Sequence, residues 1–241
     1  MKKISILQPF SIFLSLIILS ISCNYRTVEG SDVLSSISIT VDKAKKIHLK
    51  TFCDVELTPG ATMSVKVEGD DNIIPLIIVK ERDGSLVIES KRNVNIQTKQ
   101  RLVVKITMPL LESVQISGSG NVIGTAKFIG ANQLKTKING SGNIELQVNT
   151  PKVTASIHGS GNITLSGETE EATATVKGSG NYLAKDLKTE NTIVEIHGSG
   201  DAKLFADTNL DIKIFGSGNV YYAGNAAVTK KIDGSGDVVK Q

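Results

Sequence analysis

The chain contains no tryptophan, only two cysteines, and 4% aromatic residues among its 241. Any core must therefore be built from Ile, Val, Leu and Ala. Two cysteines allow at most one disulfide. Charge of one sign is also lacking. The formal balance is +3, but Lys2 and Lys3 fall in a segment expected to be removed, which leaves 25 basic residues against 24 acidic ones. Nucleic-acid binding needs a clustered basic face, so nucleic acid is not an expected partner. Long helical periods are absent too, and the one longer apolar run, Phe10–Ile21, is too short to span a bilayer comfortably.

That run has another reading. Lys2 and Lys3 precede it, small residues follow, and it ends in Leu19-Ser20-Ile21-Ser22-Cys23. The pattern is that of a secretory signal over residues 1–22, and its end resembles the lipobox of bacterial lipoproteins, although Ser20 stands where leucine is commoner. The resemblance implies acylation of Cys23, with the membrane as partner, and a lipidated tether over 23–35. Acyl chains hold firmly, at about 0.8 kcal/mol per buried methylene. With Cys23 acylated, Cys53 has no partner. It lies in the strand-like stretch Thr51–Leu57 with only His48 near it in sequence, and reads as a buried small hydrophobe.

Glycine is where the sequence is rich. GSGN occurs at 118–121, 140–143, 159–162, 178–181 and 216–219, and GSGD at 198–201 and 234–237, with steps of 22, 19, 19, 20, 18 and 18 residues. The first glycines are Gly118, Gly140, Gly159, Gly178, Gly198, Gly216 and Gly234. The second are Gly120, Gly142, Gly161, Gly180, Gly200, Gly218 and Gly236. The fourth position holds Asn121, Asn143, Asn162, Asn181, Asp201, Asn219 and Asp237. Two places before each tetrad stands a β-branched apolar residue (Ile116, Ile138, Ile157, Val176, Ile196, Ile214, Ile232), and between them the residue varies freely. Alternation of that kind marks a strand with one buried face. Each unit is then strand, glycine corner, strand, and cannot bury its apolar face until copies stack. The prediction is an all-β chain: a single-stranded parallel β-helix of about 18–22 residues per coil, with one edge made of GSG[ND] corners. Stacked Asn side chains would hydrogen-bond from coil to coil. Residues 36–117 read as less regular coils and 118–241 as the repeats. Asp71–Ile77 allows one helical turn, limited by Pro75.

The repeated Ile-x-Gly-Ser-Gly-Asn-Ile pattern resembles the GIN-domain family, described as auto-transporter adhesin head domains. So do Ile47–Gly60, Val65–Asn72, Gly84–Ile88 and Met108–Val114, so that the likeness covers residues 36–240. It implies a right-handed parallel β-helix on a secreted or lipid-anchored bacterial envelope protein, and no catalytic residues come with the family.

Sharper chemistry finds little support. No GxxxxGK[ST] occurs, and Gly118, Gly120 and Gly124 miss the dinucleotide spacing by one. A calcium ladder needs acidic ligands in successive turns, and only Asp201 and Asp237 are charged among the seven fourth positions. Those two, two coils and roughly 10 Å apart, could serve a glycosidase, but Asn219 lies between them. His158 and His197 share a column with Lys177 between, which is no metal arrangement. Tyr182 shares an inward slot with Val220 and reads as packing. Tyr221 and Tyr222 remain as candidate ligand contacts. No catalytic residue, metal or cofactor is expected. The expected role is a non-enzymatic, outer membrane-anchored envelope lipoprotein that binds host or matrix protein or glycan. A structural scaffold or a polysaccharide-acting enzyme is the alternative. The last coil, from Gly234, would expose backbone, with Lys240 as gatekeeper, consistent with a monomer or a small homo-oligomer.

Overall fold

Each tetrad turns the chain between an incoming strand, which ends at the first glycine, and an outgoing strand, which starts after the fourth residue. Lys152–Gly159 and Ile163–Gly178 flank one such corner. In the computed structural model, which describes residues 26–241, these units stack in parallel as a β-solenoid of about seven turns. The signal segment 1–22 and Cys23 lie outside the described residues.

Register follows the repeat. On the incoming face Ile116, Ile138, Ile157, Val176, Ile196, Ile214 and Ile232 form one column. On the outgoing face the column is Val55, Val122, Ile144, Ile163, Tyr182, Ala202, Val220 and Val238. Tyr182 is buried in that column, as the sequence predicts, and fits because the next coil offers only Ala202. Among the described residues its hydroxyl finds no hydrogen-bond partner.

The corners explain the glycines in two ways. Gly159 has φ 136°, a left-handed value that a side chain resists. Gly161 has ordinary backbone, but a Cβ there would sit 2.0 Å from the Gly142 carbonyl oxygen. The fourth residues join into a ladder. The Asn143 backbone N–H and Nδ2 both donate to Asn121 Oδ1 (3.1 and 2.9 Å), and the same pair of bonds links Asn162 to Asn143 and Asn181 to Asn162. Asp201 keeps the backbone bond to Asn181 (2.9 Å) and in turn accepts from Asn219, whose Oδ1 accepts from Asp237 (3.0 Å).

One corner is not visible as a tetrad. Thr51-Phe52-Cys53-Asp54 stacks beneath 118–121: a Cβ on Gly120 would meet the Cys53 carbonyl at 2.0 Å, and Asn121 Nδ2 donates to Asp54 Oδ1 (2.9 Å). Its strands Lys46–Leu49 and Asp54–Pro59 pair in parallel with Ser113–Ile116 and Val122–Gly124. Cys53 is thus a buried corner residue rather than part of a strand. Burial first, then Asp54, pushes its thiol up to about 12.

Below this coil the strand direction changes. Val103–Met108 still pairs in parallel with Asp54–Pro59, but Ser64–Asp70 runs antiparallel to it and Leu34–Ile39 antiparallel to Ser64–Asp70. On the incoming side Ile77–Arg82 runs antiparallel to Ser85–Ser90. The cap includes the expected helical turn, Ile74–Leu76, with Pro75 at its start. At the other end, Ala227–Gly234 is paired on one side only. Lys230 there occupies an inward column that holds Ala155, Ala174, Val194 and Ile212 in earlier coils.

Candidate functional site

Opposite the glycine corners the chain bends a second time, at the buried threonines Thr150, Thr169 and Thr189. Each hydroxyl closes a backbone carbonyl: Thr150 to Ala131, Thr169 to Glu171 and Thr189 to Leu187 (2.9, 3.2 and 3.0 Å). The residues on either side of these threonines are left pointing outward. They line a groove of about 480 Å³.

The groove crosses four coils. Glu168, Glu170, Glu190 and Asp207 supply carboxylates, and Phe205 an aromatic surface. Lys188 Nζ lies 3.9 Å from the Phe205 ring centroid, a cation–π contact. None of the four carboxylates forms an ion pair among the described residues. The cause of the groove lies in coil length. The steps of 19 and 20 residues that carry Glu168–Glu170 and Lys188–Glu190 give way to a step of 18 after Gly198. Between the pairs Ala184–Leu204 and Asn191–Asn209 the longer coil spends residues 185–190 on the bend and the shorter one residues 205–208. Such a site can accept hydroxyl or ammonium donors on its rim and an apolar or cationic face against Phe205.

A second, smaller trough of about 380 Å³ lies on the outgoing face beside the Asn ladder, lined in part by Ile123, Glu145, Thr164 and Leu183. A further depression of about 340 Å³ continues it past Leu183 to Lys203. Tyr221 belongs to the same outward row, next to Lys203, whose Nζ is 5.7 Å from its ring. Tyr222 does not. It follows Leu204 in an inward column and packs against the core, because side chains alternate along the strand from buried Val220. Tyr222 is therefore a packing residue, and the two tyrosines do not make one contact surface.

The remaining sequence-predicted residues are spread out. Asp201 is held in the Asn ladder and Asp237 in its last rung, with Asn219 between. His158, Lys177, His197 and Phe215 form one outward column, in that order. Burial first, then Lys137 and Lys177, lowers the His158 pKa. His197 stacks on Phe215 at 4.8 Å and meets Glu195 at 2.6 Å. His48 faces Ser117 at 2.9 Å, on the outer side of the sheet that covers Cys53. Among the described residues no group of three or more His, Cys, Asp or Glu could hold a metal ion. Sequence reasoning missed the second-bend groove. Its signal was the drop in step length, not any residue motif.

The profile of a family described as "Putative auto-transporter adhesin, head GIN domain" matches residues 44–226. No curated protein matches the chain. Three solved structures are similar to it. A "putative adhesin" from Bacteroides fragilis shares 23% identity over 89% of this chain and 100% of its own, with a TM-score of 0.82. A "putative lipid binding protein" from Parabacteroides distasonis shares 23% over 90% and 100%, with a TM-score of 0.75. A "putative adhesin" from Parabacteroides merdae shares 26% over 90% and 99%, with a TM-score of 0.69.

Proposed function

The chain belongs to the head GIN domain family, and on that premise we propose that it is a non-enzymatic binding module of the bacterial cell envelope. Acylation of Cys23 would anchor it, as an outer-membrane lipoprotein. The ligand would be host or matrix protein or glycan, taken at the second-bend groove.

One observation carries the reading: the groove combines four carboxylates, free of ion pairs among the described residues, with an aromatic face that is already occupied by a cation. A ligand would displace Lys188 from Phe205, so binding exchanges a contact of about 0.5–1 kcal/mol for a better one. At about 480 Å³ the groove holds a short glycan or peptide segment rather than a long polymer. Affinity for one site is then modest, and several anchored copies on one surface add avidity.

The test is retention of the full chain, in detergent, on immobilised glycans and matrix proteins, with released reducing ends assayed in parallel. Saturable retention that falls with Phe205→Ala, without product, supports the reading. Retention lost with Tyr221→Ala alone moves the site to the outgoing face. No retention by folded protein favours a structural scaffold, and product formation overturns the non-enzymatic reading.

A further inference from the structure

The chain is fixed to the cap almost from the first described residue. Arg26–Glu29 pairs in parallel with Val94–Gln97. The Gly30 N–H then donates to the Gln97 carbonyl (2.7 Å), Asn72 Nδ2 to the Glu29 carbonyl (2.7 Å), and the Asp32 N–H to Asp70 Oδ1 (2.8 Å). Asp70 is fully buried, and its other oxygen accepts the N–H groups of Lys99 and Gln100, each at 3.0 Å. A Cβ on Gly30 would lie 2.5 Å from that carboxylate, so the segment sits directly against it. The stretch read from sequence as a tether over 23–35 is therefore held from Arg26 onward. Only Asn24 and Tyr25 separate Cys23 from the fixed chain, a reach of about 10 Å at full extension.

The outermost strand of this cap has an unusual surface. Among the described residues Leu34–Ile39 bonds to Ser64–Asp70 along one edge only. Leu34, Val33 and Ile37 are 66%, 56% and 43% exposed. Free edges in soluble proteins are normally covered or charged. Elsewhere on the cap Arg26, Lys91, Arg92 and Lys99 are exposed and form no ion pair among the described residues. Residues 26–34 and 91–100 together carry these four cations against Glu29 and Asp32, and the adjoining Asp70 and Asp71 bring the anions to four, so the patch is balanced in charge.

We infer that this cap is a membrane-contact surface, its apolar edge lying on a lipid surface within a short covalent reach of Cys23. The inference rests on the proposed acylation of Cys23. A lipid surface suits the patch better than a second copy, because an acyl chain on Cys23 would hold Arg26 of every copy within about 10 Å of the membrane. Contact at this end stands the solenoid upright on the membrane, and the second-bend groove rises roughly 10–25 Å above the Thr51–Asp54 corner, counting coils at the inter-strand spacing.

The test uses the full chain purified from bacterial membranes and reconstituted in phosphatidylethanolamine–phosphatidylglycerol vesicles. Mass spectrometry of the N-terminal peptide reads acylation by itself. A fluorophore is placed on Leu34→Cys or, as a distant control, on Ile193→Cys, both in a Cys53→Ala background whose fold is checked by circular dichroism. Some lipids carry a nitroxide near the top of the acyl chain. Loss of emission at 34 but not at 193 supports the contact. An acylated chain with equal emission at both positions overturns it. If Cys23 proves unmodified, the anchor reading fails on its own, and the same probes on the chain mixed with vesicles decide the contact: quenching at 34 keeps it, and no quenching overturns it.

Discussion

Replacing Gly161 by alanine tests the corner packing most directly. The added methyl would lie 2.0 Å from the Gly142 carbonyl oxygen and 3.0 Å from Ile138 Cγ2. A backbone carbonyl cannot rotate aside, and comfortable carbon–oxygen contacts are about 3.3 Å or longer, so the seam must open by about 1 Å. Four hydrogen bonds cross it locally: Ser160 N–H to Gly140 O, Ile144 N–H to Asn162 O, and the two from Asn162 to Asn143 Oδ1. At about 1 kcal/mol net each, with water partly replacing them at an exposed corner, the expected loss is about 3 kcal/mol. Gly84→Ala is the control. Its φ is +69°, but nothing lies within 4 Å of the new methyl, so it should cost only about 1 kcal/mol of backbone strain. Urea unfolding followed by circular dichroism gives both values. Amide exchange at residues 160–163 shows whether the damage is local. Equal losses for the two variants would refute close nesting of the corners and leave conformational freedom as the only reason for the glycines.

Three other outcomes are expected. Burial tends to raise the Asp70 pKa, but the N–H groups of Gln100, Asp32 and Lys99 outweigh it and hold the carboxyl below its ordinary range. Its stabilisation is therefore fully present above the unfolded value of about pH 4 and is lost as pH falls through the lower folded value. The protection of the Lys99 and Gln100 amides, relative to their intrinsic exchange at each pH, should fall on acidification below that point, and protection that is insensitive to acid would exclude the assignment. Tyr182→Phe removes a buried hydroxyl that lacks a partner and should stabilise by about 1 kcal/mol in urea unfolding; a destabilised variant would reveal a hidden partner. Lys230→Ile replaces an inward charge with an aliphatic residue at the open end, and light scattering should then detect self-association that depends on concentration.

Much of the solenoid was legible because its signal is repeated. The β-branched residue two places before each tetrad fixes which face is buried, and the free position between them shows alternation. Thr51–Asp54 escaped notice because it shares only its acidic fourth residue with the repeat. Its Thr and Cys can stand where later coils need glycine, since no GSG corner lies beneath it. The cap was read as less regular coils, whereas Leu34–Ile39, Ser64–Asp70 and Ile77–Arg82 run antiparallel to their neighbours. Alternation reports a buried face but says nothing of strand direction. Tyr222 could have been placed by counting two residues from Val220, while the groove at Phe205 depends on the relative lengths of neighbouring coils and has no motif of its own.

The matched seams also make the number of coils adjustable. Gly140 and Gly159 are equivalent positions in register, as are Ile138 and Ile157. Cutting the chain at one and rejoining it at the other would place familiar corners, columns and Asn rungs against each other. Each unit gained or lost changes the height by about 4.8 Å without redesign of either end. Duplication within the gene could thus lengthen or shorten the stalk in small, equal increments, and related chains could differ in reach while keeping the same two termini of the stack.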